Sequence, residues 1–168
     1  MPSQSARRRF RTRGRGNRIA VVRLIQDDSP LPGPSGGASS PVGRGPLELR
    51  LPATPQSALR LREELRAWLT GVGAGQQESF DVTLACAEAF ANAIGHPLRP
   101  ATLIVDVEAS LNTHRLLTVI VRDYALARPE RDAEETGLFL RLMETLMESA
   151  ETHARPDGTT VVLRRHLR

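Results

Sequence analysis

Glu88 and Asn92 stand four residues apart in the run Cys86-Ala87-Glu88-Ala89-Phe90-Ala91-Asn92-Ala93-Ile94-Gly95-His96. On a helix this spacing stacks them on one face, and His96 continues the line. By the helical period the line sits about a quarter turn from the apolar stripe, so a carboxylate and an amide border a buried face. Small residues at 87, 89, 91 and 93 let a backbone or a ligand approach closely. Magnesium takes hard oxygen ligands and keeps several waters, so one amide oxygen together with phosphate oxygens can hold it. A neighbouring carboxylate can then accept a proton from an attacking hydroxyl or water. On spacing alone, an ordinary helix with two solvated polar residues is the commoner outcome. His96 reads as a helix-end histidine and Cys86 as a small core residue.

These residues need a scaffold. Leu47-Glu48-Leu49-Arg50-Leu51 alternates with period two, as a strand with one buried face does. Thr54-Pro55 is an N-cap followed by proline at the first helical position. Leu61, Leu65, Trp68, Leu69 and Val72 recur at helical spacing, which predicts a helix over 55–71, ended by the glycines of 71–75. A second helix is expected from about Gln76 to Gly95, with Phe80, Leu84, Ala87, Ala91 and Ile94 on its core face and Pro97 as its stop. Thr102–Ala109 and Leu116–Asp123 read as an antiparallel hairpin turning through 111–114. After a polar stretch, 124–136, a third helix is expected over Leu138–Ser149. A short strand at 151–154, an Asp157-Gly158 turn and a last strand, Thr160–Leu167, complete the chain. The order implies an α+β two-layer sandwich, a mixed or antiparallel sheet with three helices on one face.

All 23 basic residues are arginine, and they are distributed unevenly. Residues 1–46 hold nine arginines against Asp27 and Asp28, whereas residues 47–168 hold fourteen arginines against seventeen acids. The basicity therefore belongs to an Arg/Pro/Gly/Ser-rich leader, 1–46, and not to the domain expected at 47–168. The composition of the leader predicts disorder. It reads as a plain tail, as a basic arm touching nucleic acid, or as translation from an upstream start codon; apart from Phe10 no aromatic accompanies its arginines. A single cysteine excludes an intrachain disulfide and a cysteine metal cluster, and accords with a cytoplasmic protein. No apolar run reaches the length of a membrane span, and Ile19-Ala20-Val21-Val22, broken by Arg23, is too short for a signal peptide.

The pattern Glu-Ala-x-x-Asn-Ala-x-x-His over 88–96 resembles the Asn-containing motif of the histidine-kinase-like ATPases, in the form found in anti-sigma-factor serine/threonine kinases. The resemblance runs from about Leu47 to the C-terminus. It includes Ala67-Trp68-Leu69, the hairpin ending Val119-Ile120-Val121-Arg122-Asp123, Gly137-Leu138, and Gly158-Thr159-Thr160-Val161. It implies that Asn92 ligates Mg2+ and that Glu88 is the general base toward a substrate serine. It also implies that Asp123 accepts a hydrogen bond from the adenine amino group, that Gly137 lets the backbone approach the phosphates, and that Thr159 or Thr160 lies near the adenine. Chemistry alone would read Asp123 as a strand-end turn residue. The implied cofactors are ATP and Mg2+. The implied partners are an anti-anti-sigma protein and a sigma factor, with a homodimer left open.

The chain departs from that pattern at Ala125 and Ala127, where the family carries glycines, and at Glu135, where another glycine is expected. Two functions follow. One is an ATP-dependent kinase that phosphorylates a partner serine and sequesters a sigma factor. The other is a non-catalytic partner-binding module of the same fold, with weak or no ATP binding.

Overall fold

The computed structural model describes residues 21–25, 45–94, 103–124, 133–155 and 157–168. The elements are, in chain order, β1 (Val21–Ile25), β2 (Leu47–Pro52), α1 (Pro55–Gly71), α2 (Gln76–Ile94), β3 (Ile104–Leu111), β4 (Leu116–Asp123), α3 (Ala133–Leu146), β5 (Ser149–Arg155) and β6 (Gly158–His166). The strands form one six-stranded sheet in the order β1-β5-β6-β4-β3-β2. Every neighbouring pair is antiparallel except β1 with β5, so the sheet is mixed.

Alternation decides which face is dry. Leu51, Val105, Val107, Leu117, Val119 and Leu163 point to the helix side and join one core with Leu61 and Leu65 of α1, Phe90 of α2 and Met143 of α3. The three helices share that face: α1 lies over β2, α2 over β4 and β6, and α3 over β5 and β1. The α+β sandwich expected from the sequence is the observed architecture.

Local chemistry sets the helix ends. Thr54 is extended (φ −126°), and its hydroxyl accepts from the Ser57 N–H at 3.3 Å, with Pro55 opening the first turn. Gly73 takes φ +77° beyond α1, which a Cβ would resist. Gly75 opens α2 by donating its N–H to Glu78 Oε2 at 2.8 Å.

The structure corrects the sequence reading in four places. The buried stripe of α2 runs through Val82, Cys86, Phe90 and Ala93, while Phe80 is 53% exposed and Ala91 is exposed as well. Only Ala87 of the expected core set is buried; Leu84 and Ile94 are half-buried. Secondly, α3 starts at Ala133, ahead of the expected Leu138, so Gly137 lies inside it, and it ends at Leu146, so Ser149, expected as its last residue, instead opens β5. Thirdly, β3 is shifted toward the turn and ends at Leu111. Finally, Val21–Ile25, inside the stretch expected to be disordered, is a strand on the sheet edge. The rest of 1–44 lies outside the described residues, as do His96, Ala125 and Ala127.

Candidate functional site

The direction of α2 decides where Glu88 and Asn92 lie. Its first turns are tied to the end of β6: Glu78 Oε1 accepts from the Arg168 N–H at 2.8 Å, and Arg165 donates to Asp81 Oδ2 at 2.6 Å. From Asp81 to Asn92 the helix rises ~16 Å. Along β6, from Arg165 back to Thr159, the chain covers ~20 Å. Asn92 therefore sits over the Thr159 end of the sheet, and Glu88 one turn behind it. Both side chains are half-buried, beside the fully buried stripe.

Asp123 and Thr159 occupy that same end. They are partners in the β4–β6 ladder. Both belong to the helix-side set, because Asp123 also pairs with Val105, a core residue, and Thr159 is two residues from the core residue Val161. The Thr159 N–H donates to Asp123 Oδ1 at 3.3 Å, which holds the carboxylate at the mouth of the helix layer. Gly158 makes this packing possible: a Cβ there would stand 2.1 Å from the Asp123 carbonyl oxygen, and its φ is +154°.

Thr160 does not join this group. Strand alternation turns it to the face opposite α1, α2 and α3, where it is buried between Arg122 and His153 in the ladder. Of the two threonines expected near the adenine, only Thr159 shares the face of Asp123.

The third component is the start of α3. Its last turn is fixed at the far end, where Arg165 donates to the Leu146 carbonyl at 2.8 Å. The short turn at 147–148 then reverses the chain into β5. The helix thus runs antiparallel to β5, and its N-terminus lies at the Asp123 end. Gly137 is the fifth residue of α3, within the first turn and a half. A helix N-terminus carries unsatisfied N–H groups and a positive dipole end, which favour phosphate.

Asn92, Asp123, Thr159 and the α3 N-terminus thus lie toward the same end of the helix-covered face, with Glu88 one turn of α2 farther back. The donor set suits hard-cation chemistry. No cluster of three or more His, Cys, Asp or Glu side chains able to hold a metal occurs among the described residues, so a cation at Asn92 would share its shell with ligand oxygens and water. The anchored Asp123 carboxylate is an acceptor suited to an exocyclic amine. A hollow of about 720 Å3, lined by Gly73, Gln77, Glu78, Asp81, Arg165 and Arg168, opens at the opposite end of α2 and is separate from this constellation.

Two contacts here escaped sequence reasoning. Gly158 was legible as a turn glycine, but its packing under Asp123 depends on the β4–β6 register. Tyr124, next to Asp123 in the chain, donates its hydroxyl to Asp106 Oδ2 at 2.6 Å, on the sheet face away from the Asp123 carboxylate, where Asp106 pairs with Arg122. That hydroxyl bond is the chief reason the phenol is held above its ordinary value. No local signal pairs residues so distant in the chain.

No helix among the described residues is long and apolar enough to cross a membrane. The model of the histidine kinase-like ATPase domain family matches residues 51–165, from the end of β2 to the end of β6. Among solved structures, the chain resembles the RsbU and RsbW domains of Rv1364c from Mycobacterium tuberculosis, at 26% identity and a TM-score of 0.63. That match covers 74% of this chain but 33% of the other, so this chain spans about a third of its length. With more than half of its residues matched by that model, and with the sheet and helices it requires in place, the chain belongs to the histidine kinase-like ATPase domain family.

Proposed function

We propose that the domain binds Mg-ATP and acts as an anti-sigma-type serine/threonine kinase, phosphorylating a serine of an anti-anti-sigma partner and sequestering a sigma factor. What supports this reading is the direction of α2: its start is tied to the Arg165 end of β6, so Glu88 and then Asn92 run toward the end of the sheet that carries Asp123 and Thr159. In it, Asp123 accepts from the adenine amino group while the Thr159 N–H holds its Oδ1. Asn92 offers its amide oxygen to the metal. The α3 N-terminus, with Gly137 in its early turns, faces the phosphates. Glu88, one turn from Asn92, takes the proton of the substrate hydroxyl. Bound Mg-ATP would supply the phosphoryl group and the charge neutralisation on which such transfer rests. The likeness to a structure containing an RsbW domain supports the choice of partner class.

One observation favours the alternative, a non-catalytic module. Glu135, the third residue of α3, stands where the family pattern has a glycine, so an acidic residue type occupies the first turn of that helix. Calorimetric titration separates the two. The wild type should bind ATP more tightly with Mg2+ than without, and Asn92→Ala should abolish that difference. Glu88→Gln should keep nucleotide affinity and lose phosphorylation of the partner serine. Equal ATP affinity of wild type and Asn92→Ala in the presence of Mg2+ would remove the metal role, and no ATP binding by the wild type would leave the module reading.

A further inference from the structure

The outer edge of β5 is occupied by this chain's own Val21–Ile25, and we infer that this docked strand braces α3, and through it the phosphate end of the candidate site. β1 lies outside the segment matched by the family model, which begins at residue 51. Without it, β5 would present a bare row of backbone donors and acceptors, which is a template for pairing with other chains. Val21-Val22-Arg23-Leu24-Ile25 is rich in β-branched and apolar residues and pairs with Ser149–His153 in parallel, residue for residue.

The pairing is compatible with closure within one chain. β1 and β2 lie at opposite edges of six strands, ~24 Å apart. The connection, residues 26–46, can reach ~70 Å when extended. The tether keeps the strand at high local concentration, which favours its own edge over that of another copy.

α3 lies against both β5 and β1, so part of its support comes from the docked strand. The C-terminal end of α3 is held by Arg165, whereas its N-terminal end follows the connection from Asp123. Movement of β1 therefore acts on a helix whose C-terminal end Arg165 holds, and the opposite end is the one assigned to phosphate. This last step rests on the nucleotide reading above; the docking and bracing do not.

The test uses the full chain. On an edge strand, alternate residues turn their N–H groups toward the neighbour, and proline removes one such group. Arg23→Pro should therefore behave oppositely to Val22→Pro and Leu24→Pro: one set undocks β1 and the other is tolerated. In the undocking set, hydrogen exchange of the outward-facing β5 amides and of the α3 amides should rise by ~10-fold or more, while β3 and β4 amides hold. ATP affinity of the same variants should fall. Freed β5 amides with unchanged α3 exchange would overturn the bracing. Rapid exchange of those β5 amides in the wild type would overturn the docking. Protection that increases with protein concentration would assign the edge to a second copy instead. The expected exchange pattern in a chain that binds no ATP would uphold the bracing and refute only the nucleotide reading.

Discussion

Asp123 and Thr159 face each other across the β4–β6 ladder, and the Thr159 N–H donates to the Asp123 carboxylate at 3.3 Å. The contact depends on Gly158, the first residue of β6. A methyl group there would meet the Asp123 carbonyl oxygen at 2.1 Å, and that atom belongs to the backbone of a paired strand, so it cannot swing aside. The positive φ adds its own penalty for an L side chain. Gly158→Ala should destabilise the fold by ~2 kcal/mol or more. Chemical denaturation reads this directly, and a midpoint unchanged from wild type would show that the two strands relax without cost.

A second prediction concerns the pair that orients α2. Arg165 and Asp81 meet at 2.6 Å with side chains only 7% and 13% exposed, and Arg165 also donates to the Leu146 carbonyl. One guanidinium thus ties α2 to the end of α3 beneath the helix layer. Asp81→Ala leaves that cation buried without its carboxylate, which should cost ~3 kcal/mol. Replacing both residues, Asp81→Leu with Arg165→Met, should recover much of the loss, because no buried charge remains. A double variant as unstable as Asp81→Ala would show that the pair positions the helices more than it balances charge.

How far the sequence revealed this depended on whether the signal was local. α1 was legible to its ends because Thr54, Pro55 and Gly71 each act within a turn of the boundary they set. The face of α2 was not. Its alanine-rich sequence offers two apolar stripes, one through Phe80 and Leu84 and one through Val82, Cys86 and Phe90. Only packing against the sheet chooses between them, and it chose the second. The early start of α3 has a different cause: Ala133, Glu134 and Glu135 are good helix formers, and Gly137 is tolerated inside the helix at modest cost. β1 was illegible because its evidence is a partner more than a hundred residues away. In the candidate site the spacing of Glu88 and Asn92 was visible in the sequence. The separation of Thr159 from Thr160 required knowing which side of β6 faces the helices.

Cys86 supplies a third prediction. It is fully buried on the core stripe of α2, and burial pushes its thiol up to about 12. The thiolate is the reactive form, so the native protein should resist thiol-modifying reagents at neutral pH. Labelling should proceed only as fast as the chain opens, and it should accelerate with denaturant in step with unfolding. Rapid stoichiometric labelling of the native protein would contradict this packing of α2.

Glu78 links acidity to the same helix. Burial by itself would push its carboxyl up, but the N–H groups of Gly75 and Arg168 donate to it, and the charges of Arg165 and Arg115 add to that pull, so the group is held below its ordinary value. A carboxyl depressed in the folded state binds its proton less readily there than in the unfolded chain. Its contribution is therefore complete at neutral pH and is lost as the pH falls through the folded value. Glu78→Gln keeps a shape able to accept the Gly75 N–H but carries no charge. The stability advantage of wild type over Glu78→Gln should be largest near about pH 7 and should shrink toward about pH 3. Thermal melts of both proteins across that range decide the matter. A gap constant with pH would mean that the carboxylate acts here only as a hydrogen-bond acceptor, and the start of α2 would owe its hold on Arg168 to geometry alone.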